Sequence, residues 1–325
     1  MRAVIHHEFG EPTDVLVVEE VPTPEPGAGE VRVRTLLAAI HNHDLWTVRG
    51  TYGYKPELPA RAGTEAVGIV DAVGAGAGGL TVGQRVVAAS VFGVWAEYFT
   101  APAAQLIPIP EGIPDEAAAQ LVAMPFSAIS LLDSLGLKSG DWIAENAANG
   151  AVGRMLAQLA KARGINVVGL VRRADGIKEL AAHGVGDIVA TDDDDWRSRV
   201  EEITGGAPIA VGVESVGGAA AGDLLSLLAQ DATMVVFGAM ASPMMQLSSG
   251  AVIFKNITVK GFWGSQVSKN MAAEDRKRLM VELISRVTDG TLTLPVDAIH
   301  PLDEVRAASA ANFTPGRNGK ILLKP

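Results

Sequence analysis

The chain has 325 residues, of which 48% are hydrophobic and 20% charged, with a formal net charge of −10 and no cysteine. This length exceeds what one hydrophobic core usually serves, so two domains are expected. The acidic balance speaks against a nucleic-acid partner, and the lack of cysteine excludes disulfides, thiolate zinc sites, iron–sulfur clusters and cysteine nucleophiles.

The opening residues MRAVIHHEFG lack the apolar core of a signal peptide. No segment reaches the roughly 18–20 uninterrupted apolar residues of a membrane span, so no membrane partner is expected and the cytoplasm is the expected compartment.

Residues 1–120 read as short strands, Ala3–Ile5, Glu30–Leu36, Ala66–Val73, Arg85–Ala89 and Ala96–Thr100, separated by turn-rich stretches such as PTPEPGAGE and GAGAGG. This is the texture of an irregular, mostly β domain. Within it lies 40-IHNHDLWTVRGTYGY-54, where a strand would put His41 and His43 on one face.

The texture changes near Glu116. Ala117–Leu135 and Val152–Arg163 have helical spacing, and they alternate with the apolar runs WIAENAA, NVVGLV, DIVA, IAVGVES and TMVVFG. Strands with little polar alternation, interleaved with helices, indicate a parallel sheet covered on both faces. Residues 122–262 are therefore read as a doubly wound, Rossmann-type nucleotide-binding domain. The acidic run Asp192–Asp195 is expected to cap a helix starting near Trp196 or to form a solvated loop. A long amphipathic helix follows over Glu274–Asp289, then a short one over Leu302–Asn312. A final strand at Lys320–Leu323 would return to the first domain. The fold class is thus α/β: a β-rich domain, residues 1–121 and 263–325, split around the inserted nucleotide domain.

The segment 141-DWIAENAANGAVGRMLAQLAKARG-164 is a strand, a turn and a helix. Gly150 and Gly153 supply the last two positions of the G-x-G-x-x-G pattern, and Ala148 occupies the first. Gly150 would let backbone N–H groups approach a pyrophosphate, and Gly153 would let the helix sit close to the strand. The next strand ends at Arg172-Arg173, nineteen residues past Gly153. An acid there would hold a ribose diol; two guanidiniums suit a 2′-phosphate, so NADPH is the expected cofactor. Asp175 would contact a ribose hydroxyl or cap the following helix.

With these features the whole chain resembles the medium-chain dehydrogenase/reductase superfamily in its cysteine-free, zinc-independent branch. It is similar there to quinone oxidoreductases, and closer to NADPH-dependent 2-enoyl thioester reductases. The stretches 50-GTYGYKPELPA-60, 145-ENAANGAVG-153 and 253-IFKNITVKGFW-263 carry the likeness. The resemblance implies a GroES-like fold for the β-rich domain and makes Tyr52, in G-x-Y-G, the catalytic tyrosine. It implies cofactor contacts at Asn149, Gly150, Ala151, Val152, Arg172, Arg173, Phe237, Gly238, Ala239, Met240, Phe262, Trp263 and Lys320. It also implies a homodimer through the edge strand of the Rossmann sheet. Two stretches depart from the reductase pattern. Met124, in 124-MPFSA-128, stands where the reductases have an asparagine, and 63-GTEA-66 is closer to the quinone-reductase form.

A catalytic zinc needs three converging protein ligands and an open position. The positions used by zinc-dependent cousins hold His41 and Thr64, with nothing in LVAMPFSA for a third, so no metal is expected. The expected chemistry is hydride addition to a C=C bond conjugated to a carbonyl, with Tyr52 as acid or enolate anchor. Asn42, Trp46 and Tyr54 are candidate substrate contacts. His43 would orient the loop or touch substrate, and Trp95 and Trp263 would line a pocket or pack in the core. His6, His7, His183 and His300 are expected to be structural. An NADPH:quinone oxidoreductase and an NADPH-binding redox sensor with little turnover are the alternative functions.

Overall fold

The computed structural model describes residues 1–181, 185–314 and 316–325; His183 lies outside them. The chain forms two compact units, Met1–Ala123 with Leu294–Pro325, and Met124–Thr293.

The first unit is built on a seven-stranded sheet. Its order is Val296–Pro301, Lys320–Lys324, Glu30–Ala39, Glu65–Val73, Arg85–Ala89 and Leu106–Pro108, with Tyr98–Pro102 also pairing to Glu30–Ala39. A smaller sheet joins Val17–Glu20, Arg2–His6 and Ala60–Arg61. The C-terminal strand does return here: Leu322 and Leu323 pair antiparallel with Ala39 and Ala38. Val33, Ala66, Val86, Phe99, Leu323 and the fully buried Trp95 share one apolar core. Trp95 is therefore a core residue, and its indole N–H donates to the Ala39 carbonyl at 3.0 Å.

The second unit carries six parallel strands in the order Ile188–Ala190, Asn166–Val171, Trp142–Asn146, Ile209–Glu214, Thr233–Val236, Thr258–Gly261. In sequence terms this is 3-2-1-4-5-6, the dinucleotide-binding arrangement, which reverses direction between Trp142–Asn146 and Ile209–Glu214. The three central strands are buried along nearly their whole length, as expected when both faces are covered. Helices Trp196–Thr204 and Gly218–Leu227 cover one face, with Trp196, Val200, Leu224 and Leu225 packed on Ala144, Val168 and Leu170.

Several local expectations change. The segment 263–293, assigned from sequence to the β-rich domain, packs with the nucleotide unit. Its helix Ala273–Thr288 buries Leu279, Met280 and Leu283, and ion pairs tie Glu282 to Arg163 at 2.8 Å and Arg278 to Asp133 at 2.9 Å. The helix expected over Ala117–Leu135 is two helices, Asp115–Ala118 and Ala123–Ser134. Between them the Glu65 carboxylate accepts from the N–H groups of Val122 and Ala123, taking the place of helical acceptors. Of the two readings of Asp192–Asp195, the exposed turn holds and the side-chain cap does not: Asp195 makes no side-chain cap to helix Trp196–Thr204, and Asp193 pairs with Arg199 at 2.8 Å. His41 and His43 lie not on a strand but at the start of helix Asn42–Arg49. Among the described residues, no helix is long and apolar enough to cross a membrane.

Candidate functional site

In the nucleotide unit, strand Trp142–Asn146 leads through a tight turn into helix Ala151–Ala162, with Gly150 as N-cap. A Cβ on Gly153 would lie 2.9 Å from both the Cα and the carbonyl oxygen of Ala148. Only glycine lets the helix approach the turn this closely. The alanine at the first glycine position is explained by the neighbouring strand. Ala148 is fully buried, and a Cβ on Gly169 would come within 2.7 Å of its Cβ. Gly169 leaves the room that Ala148 occupies.

The cradle continues at the point where the strand order reverses. Asn146 Oδ1 accepts from Ser215 N at 2.7 Å, and its Nδ2 donates to Glu214 Oε1 at 3.1 Å. The same oxygen accepts from Val216 N at 2.7 Å and Gly217 N at 2.6 Å. The Glu214 backbone carbonyl then accepts from Phe237 N and Gly238 N, and that of Ser215 from Met240 N. Four expected cofactor residues, Phe237 to Met240, thus form a loop anchored to the turn that Glu214 and Asn146 hold. Sequence reading missed both anchors, although an acid ending the apolar run IAVGVE was a visible signal. Phe237 and Phe262 stack with centroids 5.6 Å apart. Asn149, Arg172, Arg173, Met240 and Trp263 are exposed on the surface of this unit, with Ala151 and Val152 half-buried. Among the described residues, neither Arg172 nor Arg173 pairs with a carboxylate. These features fit a nicotinamide dinucleotide: a glycine that keeps the helix close, a helix N-terminus for its pyrophosphate, and exposed cations at the second strand's end.

The other candidate residues lie in the β-rich unit. Helix Asn42–Arg49 ends at Gly50, whose φ is +72° and whose added Cβ would meet Phe9 Cγ at 2.9 Å. The N–H groups of Thr51 and Tyr52 then donate to the Trp46 carbonyl, which holds the half-buried Tyr52 at the helix end. The Tyr52 ring lies 5.8 Å from that of His43. Tyr54 is exposed and packs on Phe92 at 4.5 Å, and Asn42 Oδ1 accepts from Asn312 Nδ2 at 2.8 Å. Trp46 is half-buried. Lys320 is buried in its strand with Nζ directed at the Ile40 carbonyl, and its charge acts on both His41 and Glu65.

Beneath Tyr52 lies a polar network that composition alone would not suggest. His41 Nε2 is 2.6 Å from Glu65 Oε2, with both side chains fully buried. Burial pushes Glu65 up to about 7 and holds His41 well below its usual range. Asp44 Oδ1 accepts from the Thr64 hydroxyl at 2.6 Å, and His43 Nε2 lies 2.7 Å from the same hydroxyl oxygen. Asp44 Oδ2 accepts from His41 N at 2.9 Å. The donor set does not fit zinc: Nε2 of His41 is engaged by Glu65, and the second position is a threonine. Among the described residues, no group of three or more histidine, aspartate or glutamate side chains is arranged to hold a metal ion.

Comparisons with known proteins agree with this architecture. Residues 27–111 match the alcohol dehydrogenase GroES-like domain model, and residues 151–286 match the zinc-binding dehydrogenase model. The mitochondrial enoyl-[acyl-carrier-protein] reductase of Rattus norvegicus is 32% identical over 99% of this chain and 88% of its own. That of Homo sapiens is 32% identical over the same shares. Among solved structures, Escherichia coli quinone oxidoreductase complexed with NADPH superposes over 100% of both chains, with a TM-score of 0.90 and 26% identity. A mycobacterial quinone oxidoreductase does so over 100% of both, with a TM-score of 0.86 and 28% identity. The chain therefore belongs to the medium-chain dehydrogenase/reductase superfamily, as a nicotinamide-nucleotide oxidoreductase of the enoyl reductase and quinone oxidoreductase kind.

Proposed function

We propose that this protein is an NADPH-dependent reductase of activated C=C bonds, with 2-enoyl thioesters preferred over quinones. The observation that carries the cofactor choice is the pair Arg172 and Arg173, exposed after strand Asn166–Val171 with no carboxylate partner among the described residues. Two exposed guanidiniums match a 2′-phosphate in charge and in bidentate geometry. Asn149, Gly150, Ala151 and Val152 would hold the pyrophosphate, and the anchored loop Phe237–Met240 with Phe262 and Trp263 the nicotinamide end.

When bound, NADPH supplies hydride to the carbon β to the carbonyl. The chain's own task is to stabilise the enolate that results and to protonate it. A tyrosine hydroxyl does both, and Tyr52 is held for it by the end of helix Asn42–Arg49. Asn42, Trp46 and Tyr54 are the accompanying substrate contacts. The full-length likeness to enoyl-[acyl-carrier-protein] reductases supports the thioester reading. The quinone reading has its own support in Thr64 and Met124, which depart from the thioester-reductase pattern.

Crotonyl-CoA and a small quinone, assayed side by side with NADPH, separate the two. Turnover of the thioester is expected, and a rate on the quinone alone would overturn the preference. Tyr52→Phe is expected to lower kcat on the thioester by about 10²-fold or more while NADPH still binds; an unchanged rate would remove Tyr52 from the mechanism.

The protein is further proposed to be a homodimer through strand Thr258–Gly261. All four of its residues are exposed at the sheet edge, near the 68% exposed Ile253 and the 81% exposed Phe254. A sheet edge left open, with Val259, Ile253 and Phe254 exposed, invites pairing with another strand. Sedimentation should give twice the chain mass, and Val259→Pro should shift it to a monomer.

A further inference from the structure

We propose that His43 is a positioning residue that returns the proton to Tyr52 after each turnover. The inference rests on the reading of Tyr52 as the acid and adds to it the source of the next proton. Once Tyr52 has protonated an enolate carbon, it is a phenolate, and the cycle cannot repeat until it is reprotonated.

Hydrogen counting orients the His43 ring. The Thr64 hydroxyl has a single proton, which it donates to Asp44 Oδ1 at 2.6 Å. Its oxygen can then only accept from His43 Nε2, 2.7 Å away, so Nε2 carries a proton. Asp44 is itself fixed, because its other oxygen accepts from His41 N and its side chain is fully buried. The His43 ring also stacks on that of His41, with centroids 5.1 Å apart and planes inclined by 11°. Nδ1 is left on the other side of the ring, with no protein partner among the described residues. The side chain is 20% exposed, and its ring is a direct neighbour of the Tyr52 ring. One nitrogen is therefore anchored, and Nδ1 is the one left to exchange protons, on a partly exposed ring whose centroid lies 5.8 Å from that of Tyr52. Imidazole is the side chain best suited to exchanging protons near neutral pH. His41, Asp44, Tyr52 and, through His41, Glu65 are the titratable groups that face it.

The steps balance without an added reagent. The enolate Cα takes the Tyr52 proton as the O–H bond breaks. The phenolate then takes the Nδ1 proton of the His43 imidazolium, leaving a neutral ring whose Nε2–H stays on Thr64. A proton taken up from the solvent restores the imidazolium at Nδ1, so one proton is consumed per turnover. Nothing is oxidised or reduced in these transfers.

The test uses the full-length protein with NADPH and crotonyl-CoA. His43→Ala is expected to lower kcat by about 10²-fold, the low end of acid–base contributions, with KM and NADPH affinity unchanged. Added imidazole should restore part of the rate in His43→Ala and none in Tyr52→Phe. Thr64→Val, which keeps the imidazole but removes its anchor, should lose rate without imidazole rescue. A wild-type kcat in His43→Ala overturns the proposal, as does a loss that imidazole does not restore. If His43→Ala does not fold, the same titration on His43→Asn decides between these outcomes. Tyr52→Phe at the wild-type rate would remove the functional reading together with the relay. An inactive Tyr52→Phe beside a fully active His43→Ala would remove the relay alone.

Discussion

His41 and Glu65 share one hydrogen bond of 2.6 Å inside the β-rich unit, with neither side chain exposed to solvent. The other carboxylate oxygen, Oε1, holds the N–H groups of Val122 and Ala123 at 2.6 and 2.9 Å. Truncating one member of such a buried pair strands the other in an apolar surround. Glu65→Ala leaves the His41 ring nitrogen and the N–H groups of Val122 and Ala123 without their acceptor or donor, and at about 1–3 kcal/mol for each buried polar group left unpaired it should clearly destabilise the fold in urea unfolding.

The same pair makes a pH prediction. Burial raises Glu65 from 4.5 to about 7, so its contribution is full below 4.5 and lost as pH rises towards about 7. Burial also holds His41 well below 6.5, so its contribution is present above 6.5 and lost as pH falls. Below 6.5, where His41 is still neutral in the folded state and Glu65 still protonated, the pair binds one titratable proton folded and one unfolded, and the two slopes oppose each other. His41→Leu should uncover the first slope, with stability falling as pH rises. Glu65→Leu should uncover the second, with stability falling as pH drops. Unfolding curves at several pH values check this, and slopes of the same sign in both variants would count against it.

Gly153 and Gly63 are predicted to fail differently when given a side chain. Gly153→Ala places a methyl against the backbone of Ala148 at 2.9 Å, so the helix must move off the turn. A cost of about 1–3 kcal/mol and a loss of NADPH affinity are expected from fluorescence titration. Gly63 lies in the β-rich unit with a φ of +90°, and a Cβ there would overlap the ring of Trp95 in the core of that same unit. Gly63→Ala should not yield folded protein, as judged by circular dichroism and solubility.

Arg172 and Arg173 should set the preference for NADPH. Each charge-assisted contact to a phosphate is worth about 1.5–3 kcal/mol. Arg172→Ala/Arg173→Ala should therefore reduce kcat/KM with NADPH by about 10²-fold or more and leave NADH almost unaffected. Equal effects on the two cofactors would show that these guanidiniums do not read the 2′-phosphate.

The sequence alone was enough for the two-domain α/β plan, the parallel sheet, the glycine turn and the return of the C-terminal strand. Those features are written in local periodicity: apolar runs for doubly covered strands, amphipathic spacing for helices, glycine where backbone must approach backbone. The match of Tyr52 to a family motif was equally local. The conformation of His41 and His43 was not, because a short polar stretch has no periodicity that separates a strand from a helix start; Asp44 and Gly50 decide it at the two ends of the helix. Nor could periodicity reveal Glu65 as the partner of His41, Val122 and Ala123, or Glu214 as the anchor of the loop at Phe237. The assignment of 263–293 failed for the same reason, since its helix joins the nucleotide unit through Arg163 and Asp133, far away in sequence. Buried polar groups take their partners from wherever the fold brings donors and acceptors together. Only the tertiary structure could decide those partners.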